Sequence, residues 1–226
     1  MSFTDIHSHI LPGYDDGAFD AAEFLEMARV AVRGGTARMA ATPHYDLDLP
    51  NLEPAGIRAA VQEHLGLLRS QGISLALVPG VEVRVSTGLY NLARRDGALD
   101  GLSLGGGGNY ILVDLPLVDL PVATADILFL IQLRGFTPIL AHPERNRHLA
   151  SHPQLVRELA ERGIEMQVNS GSLEGLYGRT AHRAALALLG EGTARLVASD
   201  AHAPNGRSPD LSGADRHIRS RFGDTA

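Results

Sequence analysis

Five of the ten histidines stand among carboxylates in a pattern that points to metal chemistry. His7 and His9 follow a short strand-like stretch, Phe3 to Ile6, with one residue between them. In an extended segment alternate side chains share a face, so both imidazoles are aimed at the same space. Leu11-Pro12-Gly13 then turns the chain and presents Asp15 and Asp16 just ahead of a helix. A lone His-x-His is also what chance leaves near a strand end. Later strands, however, end in the same kind of residue: His44, Glu82, Asp114, His142, Asp200 and His202 all fall at or just beyond expected strand ends. Neutral imidazole is the commonest nitrogen ligand for divalent transition ions, and a set without thiolates suits Mn, Fe, Zn or Co rather than a structural zinc site. Glu82 has two oxygens and can bridge two ions. Ions ~3.5–4 Å apart can clamp the attacking and leaving oxygens of an in-line displacement at phosphorus. With no basic residue evident in either strand, Glu82 and Asp114 read as ligands rather than as partners of an arginine. Arg145 stands three residues after His142 in HPER, and its planar fork matches phosphate oxygens. Arg207 in NGRSP is a second candidate of the same type, and Tyr14 and Tyr45 are placed to form a pocket rim. The other histidines, His64, His148, His152, His182 and His217, fall in expected helices or loops and are read as solvated or capping.

These residues need a scaffold that brings distant strand ends together. Asp20 can cap a helix to about Arg33, with Phe24, Leu25, Ala28, Ala31 and Val32 at helical spacing, ended by Gly34-Gly35. Ala37 to Thr42 reads as a strand running into Pro43-His44-Tyr45. A helix carrying Ile57, Val61, Leu65 and Leu68 follows, and ISLALVPGVEVRV reads as one buried strand run reaching Glu82. Short helix Thr87–Arg95, a Gly105–Gly108 connector and strand Tyr110–Leu115 come next. After them the pattern gives helix Ala123–Arg134, strand Thr137–Ala141, a helix from Pro153 to about Gly163 and strand Ile164–Val168. Helix Thr180–Leu189, strand Arg195–Ala198 and one polar helix at most after Pro209 complete it. Apolar strands that alternate with helices about seven times imply a parallel sheet covered by helices, and closure into a barrel fits the count. In such barrels chemistry sits at the carboxyl ends of the strands.

Composition narrows the reading. The 226 residues are 44% hydrophobic and 20% charged, enough for one sizeable core. A net charge of −6 gives no basic face, so nucleic acid is not an expected partner. Lysine is absent and every fixed positive charge is an arginine. The chain has no cysteine, which excludes disulfides, thiolate metal sites and a cysteine nucleophile. No basic-then-apolar leader is visible, and the apolar run Ile127–Leu133 is too short to cross a bilayer, so a cytoplasmic protein without membrane insertion is expected.

Seven strings, DIHSHILPGYDDGA, ATPHY, GVEVR, YILVDLP, PILAHPERN, MQVNSGSL and ASDAH, run in order from Asp5 to about Arg207. Together they resemble the polymerase-and-histidinol-phosphatase (PHP) superfamily, and within it the bacterial metal-dependent tyrosine phosphatases of the CpsB, CapC and YwqE type. The resemblance implies one domain over residues 1–226, a distorted seven-stranded α/β barrel of TIM-like kind with a trinuclear centre, usually assigned manganese. It places His7, His9, Glu82 and Asp200 on the first ion, Glu82, Asp114 and His142 on the second, and Asp16, His44 and His202 on the third. Arg145, His44 and Asp200 would be catalytic, with Arg145, Arg207, Tyr14 and Tyr45 facing the substrate. The implied reaction is phosphomonoester hydrolysis by a metal-bridging hydroxide. The implied substrate is a phosphotyrosine protein, with a bacterial tyrosine kinase that controls capsule or exopolysaccharide synthesis as the partner. Other reactions of the superfamily, on histidinol phosphate or nucleotides, and a non-catalytic binding module remain the alternatives. The chain departs from the family pattern at Asp114, where Glu is usual.

Overall fold

A computed structural model of the chain describes residues 2–49 and 53–223. In chain order the elements are β1 (Phe3–Asp5), α1 (Ala21–Arg33), β2 (Thr36–Ala41), β3 (His44–Tyr45), α2 (Pro54–Ser70), β4 (Ala76–Pro79), β5 (Glu82–Arg84) and α3 (Thr87–Ala93). They continue with β6 (Tyr110–Asp114), α4 (Thr124–Leu133), β7 (Thr137–Ala141), α5 (Arg147–Ser151), α6 (Pro153–Glu161), β8 (Glu165–Asn169), α7 (Ser170–Leu173), α8 (Gly178–Gly190), β9 (Leu196–Ala198) and α9 (Ser212–Phe222). The strands form two parallel sheets, β1-β2-β4 and β3-β5-β6-β7-β8-β9.

Local chemistry sets these elements. The Asp20 side chain accepts hydrogen bonds from the Ala22 and Glu23 N–H groups, both at 2.9 Å, and so caps α1. A cap of this kind contributes about 1 kcal/mol. Phe24, Met27, Ala28 and Ala31 then recur at helical spacing and are buried. They join one core with Ile57, Val61 and Leu68 of α2, Ile127 and Ile131 of α4 and Val156 of α6, packed on Met39, Val83, Ile111, Val113, Leu140 and Met166 of the strands. Each of the larger side chains, Phe, Met, Leu, Ile or Val, contributes about 1.5–3 kcal/mol on burial. Leu112, Ile139 and Ala141 form a separate small cluster on the opposite face of β6 and β7. Both faces are therefore buried, as expected for parallel strands covered by helices.

The expected run ISLALVPGVEVRV is interrupted and divides into β4 and β5 at Gly80-Val81, while the strand expected over Ala37–Thr42 ends at Ala41 and pairing resumes as β3 beyond the interruption at Thr42-Pro43. Pro43 has no N–H for a ladder. A Cβ on Gly80 would meet Leu104 Cδ2 at 2.8 Å and Thr42 Cγ2 at 3.1 Å. The interruptions lie side by side: Gly80 N–H donates to Ala41 O at 3.0 Å, and Glu82 N–H donates to Pro43 O at 3.1 Å. Beyond them His44 pairs in register with Glu82, at the first residues of β3 and β5. At the other side of the fold, Asp200 N–H donates to His7 O at 2.9 Å and His9 N–H to Ala201 O at 2.8 Å, linking the ends of β1 and β9. Among the described residues no helix is long and apolar enough to cross a membrane.

Candidate metal centre

His7 and His9 leave the end of β1 fully buried, and each is oriented through its Nδ1. His7 Nδ1 lies 2.8 Å from Gln167 Oε1, and His9 Nδ1 lies 2.6 Å from Asp15 Oδ2. A carboxylate or amide oxygen there fixes the ring with Nδ1 protonated and Nε2 free. His202 repeats the arrangement, its Nδ1 donating to the Asp200 carbonyl at 2.9 Å. The loop bearing Asp15 and Asp16 closes tightly on His9. A Cβ at Gly17 would overlap the His9 carbonyl, so only glycine allows this approach. His142 and Asp200 are the two non-glycine residues with left-handed backbone, at φ 34° and 51°, among the described residues. Such strain is typical of positions whose side chains must be aimed for function.

The free nitrogens and the carboxylates converge. His7 and His9 Nε2 are 3.2 Å apart, a separation at which a single proton can lie between two lone pairs. Glu82 Oε1 lies 3.4 Å from His7 Nε2 and 3.0 Å from His142 Nε2, while Glu82 Oε2 lies 2.8 Å from His44 Nδ1 and 3.4 Å from His9 Nε2. Asp200 Oδ1 is 3.4 Å from His7 Nε2 and 3.3 Å from His9 Nε2. Asp16 Oδ1 is 3.4 Å from His44 Nε2 and 3.3 Å from His202 Nε2. Four overlapping groups result: His9-Asp16-His44-His202, His7-Glu82-His142, His7-His9-Asp200 and His44-Glu82-Asp114. In each group the ligand atoms lie within 4.8 Å of one another. His202 Nε2 is buried without a hydrogen-bond partner. A buried imidazole lone pair beside carboxylate oxygens fits a divalent cation, which would take both.

The electrostatics point the same way. Burial works against charge on Glu82, yet His7, His142 and His44 outweigh it and hold its carboxyl well below the ordinary range. Burial likewise opposes charge on Asp200, and His7, His9 and His142 outweigh it. Burial alone would depress His142, but the Glu82 carboxylate against it lifts it to about 9. Asp114 is pushed up to about 6 by burial and by the negative charge of Glu82. His202 is pushed down to about 4 by burial and the neighbouring His9. The buried carboxylates Glu82 and Asp200 thus call for positive charge against them, the reason His9, His44 and His142 are all shifted upward.

Every expected ligand reaches this cluster, but several surroundings differ from expectation. Asp114 does have an arginine partner: Arg84, two residues after Glu82, places Nη2 2.9 Å from Asp114 Oδ2. The residue was visible in GVEVR, but its pairing across β5 and β6 was not. Asp114 Oδ1 stays 3.9 Å from His142 Nε2. Arg145 and Arg207 both reach Asp200 Oδ2, at 2.6 and 2.9 Å. With Arg84 they line a cleft of about 370 Å³ beside Asp16, His44, Asp114, His142 and Asp200. Tyr14 and Tyr45 do not line it. Both pack on the core, and the Tyr14 hydroxyl donates to the Gly56 carbonyl at 3.3 Å. Tyr177 is the aromatic residue at the arginines, its ring 4.0 Å from the Arg145 guanidinium. His64 is half-buried: it packs edge-on against Phe24 at 4.7 Å, with Nδ1 2.8 Å from the Ala60 carbonyl.

The supporting residues were missed. Gln167 Nε2 donates to Asn169 Oδ1 at 2.8 Å, and Asn169 Nδ2 donates to Asp200 Oδ2 at 2.6 Å, so one strand ties His7 to Asp200. Asp5 accepts from the Ser199 hydroxyl at 2.5 Å and N–H at 3.1 Å, fixing β1 against the SDAH loop. The available signal was parity. Gln167 and Asn169 alternate with apolar Met166 and Val168, so both polar side chains share the inner face.

Fold and site together define an α/β protein whose parallel strands end in a cluster of imidazoles and carboxylates that could hold divalent cations. The chain belongs to the CpsB/CapC family, whose model, described as capsular polysaccharide synthesis, CpsB/CapC, matches residues 3–226. It is 39% identical over 198 residues to tyrosine-protein phosphatase YwqE of Bacillus subtilis, covering 88% of this chain and 76% of that one. It is 27% identical to the putative tyrosine-protein phosphatase CapC of Staphylococcus aureus, covering 90% of this chain and 78% of that one. Among solved structures it matches one reported with YwqE from B. subtilis and CpsB from Streptococcus pneumoniae, described as unique metal-dependent tyrosine phosphatases. The TM-score is 0.90 at 37% identity, over 98% of this chain and 88% of that one. A putative histidinol phosphatase from Listeria monocytogenes shares the fold, with TM-score 0.57 at 13% identity over 94% of this chain and 99% of that one.

Proposed function

We propose that the chain is a metal-dependent protein-tyrosine phosphatase, acting in the cytoplasm on phosphoproteins of capsule or exopolysaccharide synthesis, with a bacterial tyrosine kinase as the natural partner. The observation that carries this reading is the convergence of His7, His9, Asp16, His44, Glu82, Asp114, His142, Asp200 and His202 into overlapping ligand groups. Arg145 and Arg207 stand beside them in one cleft. The named activity of YwqE at 39% identity supports the choice of phosphotyrosine.

In this reading three ions, expected to be manganese, are held by His7, His9, Glu82 and Asp200, by Glu82, Asp114 and His142, and by Asp16, His44 and His202. Bound divalent ions supply an activated water near neutral pH and neutralise the phosphoryl charge. The chain's own groups do the rest. Asp200 serves twice, Oδ1 toward the imidazoles and Arg207, Oδ2 toward Arg145 and Arg207. Arg145, stacked on Tyr177, and Arg207 retain N–H groups to donate to phosphoryl oxygens. His44 stands half-exposed on the cleft wall, the open side of the site. A tyrosyl leaving group has a pKa of ~10, so proton delivery to it matters less than for an alkyl alcohol.

The scaffold reading is one domain and one distorted barrel. If β2–β3 and β4–β5 are each one interrupted strand, seven strands remain, and the hydrogen bonds between the ends of β1 and β9 support joining the first to the last. Initial rates on a phosphotyrosine peptide, histidinol phosphate and nucleotide monophosphates, with Mn²⁺ present, test the function. The peptide should be preferred in kcat/KM by at least tenfold, and a preference for either small metabolite would overturn the assignment.

A further inference from the structure

A second groove, of about 620 Å³, opens beside the metal cleft and shares Leu117 and Arg145 with it. Its own walls are Val118, Arg147, Tyr177 and Thr180. One wall is the loop after β6, held in place before any ligand arrives. Asn146 Nδ2 donates to the Pro116 carbonyl at 2.6 Å and the Asp119 carbonyl at 3.0 Å, and Arg147 N–H donates to the Leu117 carbonyl at 2.8 Å. On this fixed loop Leu117 and Val118 are 49% and 53% exposed. Prebuilt apolar walls lower the ordering cost of seating a chain segment.

The groove's charge is specific. Arg84, Arg145 and Arg207 are each engaged by an aspartate, whereas no carboxylate pairs with exposed Arg147 among the described residues. Glu144, the acid in the lining, is buried and accepts from the Ser172 hydroxyl at 2.6 Å and the Asn169 N–H at 3.0 Å. Asp119, on the same loop, is not part of the lining. On a chain of net charge −6, an anionic segment needs such a local cation to dock.

We propose that this groove seats the residues flanking the phosphotyrosine, and that Arg147 selects peptides with acidic side chains there. The inference rests on the phosphatase reading. A phosphotyrosyl side chain reaching the ions leaves its backbone at the cleft mouth, where the groove begins. Leu117 and Val118 take its apolar surface, and Arg147 pairs with a carboxylate beside it.

The test uses the Mn²⁺-loaded full chain and two phosphotyrosine peptides of equal length, one flanked on both sides by Asp and Glu, the other by Lys. Affinity is read by fluorescence anisotropy on versions carrying a non-hydrolysable phosphonate, and turnover on the phosphopeptides and on p-nitrophenyl phosphate. The acidic peptide should bind at least tenfold tighter, and Arg147→Glu should abolish or invert that preference. Turnover of p-nitrophenyl phosphate, too small to reach Arg147, should change less than twofold and reports that the variant is folded. Equal binding of the two peptides, or an unchanged preference in Arg147→Glu, overturns the groove assignment while the phosphatase stands. No turnover of any phosphomonoester would sink the phosphatase reading and this one with it.

Discussion

Replacing Asp15 by Asn should weaken cation binding without touching a proposed ligand. Asp15 Oδ2 accepts from His9 Nδ1 at 2.6 Å and from the His44 N–H at 2.9 Å, while Oδ1 accepts from the Gly17 N–H at 3.0 Å. Burial works against its charge, yet His9 overrides this and brings the carboxyl down to about 2 from an ordinary 3.8. At about 1.4 kcal/mol per tenfold, that depression corresponds to roughly 2 kcal/mol favouring the charged form. Supporting carboxylates behind metal-binding histidines typically account for about 10- to 100-fold in affinity, which is the same size. An Asn retains an oxygen for Nδ1 but not the charge, so the Kd for Mn²⁺ at the site using His9 should rise by about 10- to 100-fold. Calorimetric titration of the chelator-treated protein reads this directly, with circular dichroism as the check on folding. The sign of the acid dependence is also set. The folded pKa lies below the unfolded one, so the stabilisation is present above about pH 4 and is lost as pH falls toward 2. Asp15→Asn should lack this acid-labile increment. A variant that binds Mn²⁺ with unchanged Kd and stoichiometry would refute the role of Asp15.

Arg145→Ala should lower kcat/KM on aryl phosphates by about 100-fold at unchanged metal content, since Arg207 still holds Asp200 at 2.9 Å. Elemental analysis and steady-state kinetics check both halves, and unchanged kinetics would remove Arg145 from the site. Asp114→Glu should preserve or raise activity, because the added methylene extends the carboxylate, now 3.9 Å from His142, into the cluster. A folded but inactive variant would mean that the pocket is built for the shorter acid and its Arg84 pair. Since His142 is held at about 9 without a cation, loading must displace its proton. The apparent Mn²⁺ affinity should therefore rise with pH between 6 and 8, by about tenfold per unit for each proton released. A flat profile would contradict the ligand assignment.

How far the sequence carried the account depended on whether a residue's role was local. The His-x-His pair, the strand-end acids and HPER could be read because alternation and strand-end position are short-range properties. The break at Gly80 could not, since a side chain there is excluded by Leu104 and Thr42, which are distant in sequence. The Arg84–Asp114 pair was hidden for the same reason: it depends on β5 lying in register with β6. Gln167 and Asn169 read in sequence only as the polar half of an alternating strand that also carries Glu165. Their inner-face parity gains meaning only once His7 and Asp200 are known to lie opposite. Tyr14 and Tyr45 were near the ligands in sequence but turned toward the core, whereas Tyr177 came to Arg145 from 32 positions away.

The central claim is that imidazoles and carboxylates from distant strand ends hold several divalent cations in one cage. Anomalous diffraction from crystals grown with Mn²⁺, recorded at the manganese edge, tests it most directly. Two or three peaks should appear, enclosed by His7, His9, Glu82, His142, Asp200 and the Asp16-His44-His202 group. Crystals of a protein that hydrolyses phosphotyrosine peptide after exhaustive chelation, with no peak in this cage, would contradict it.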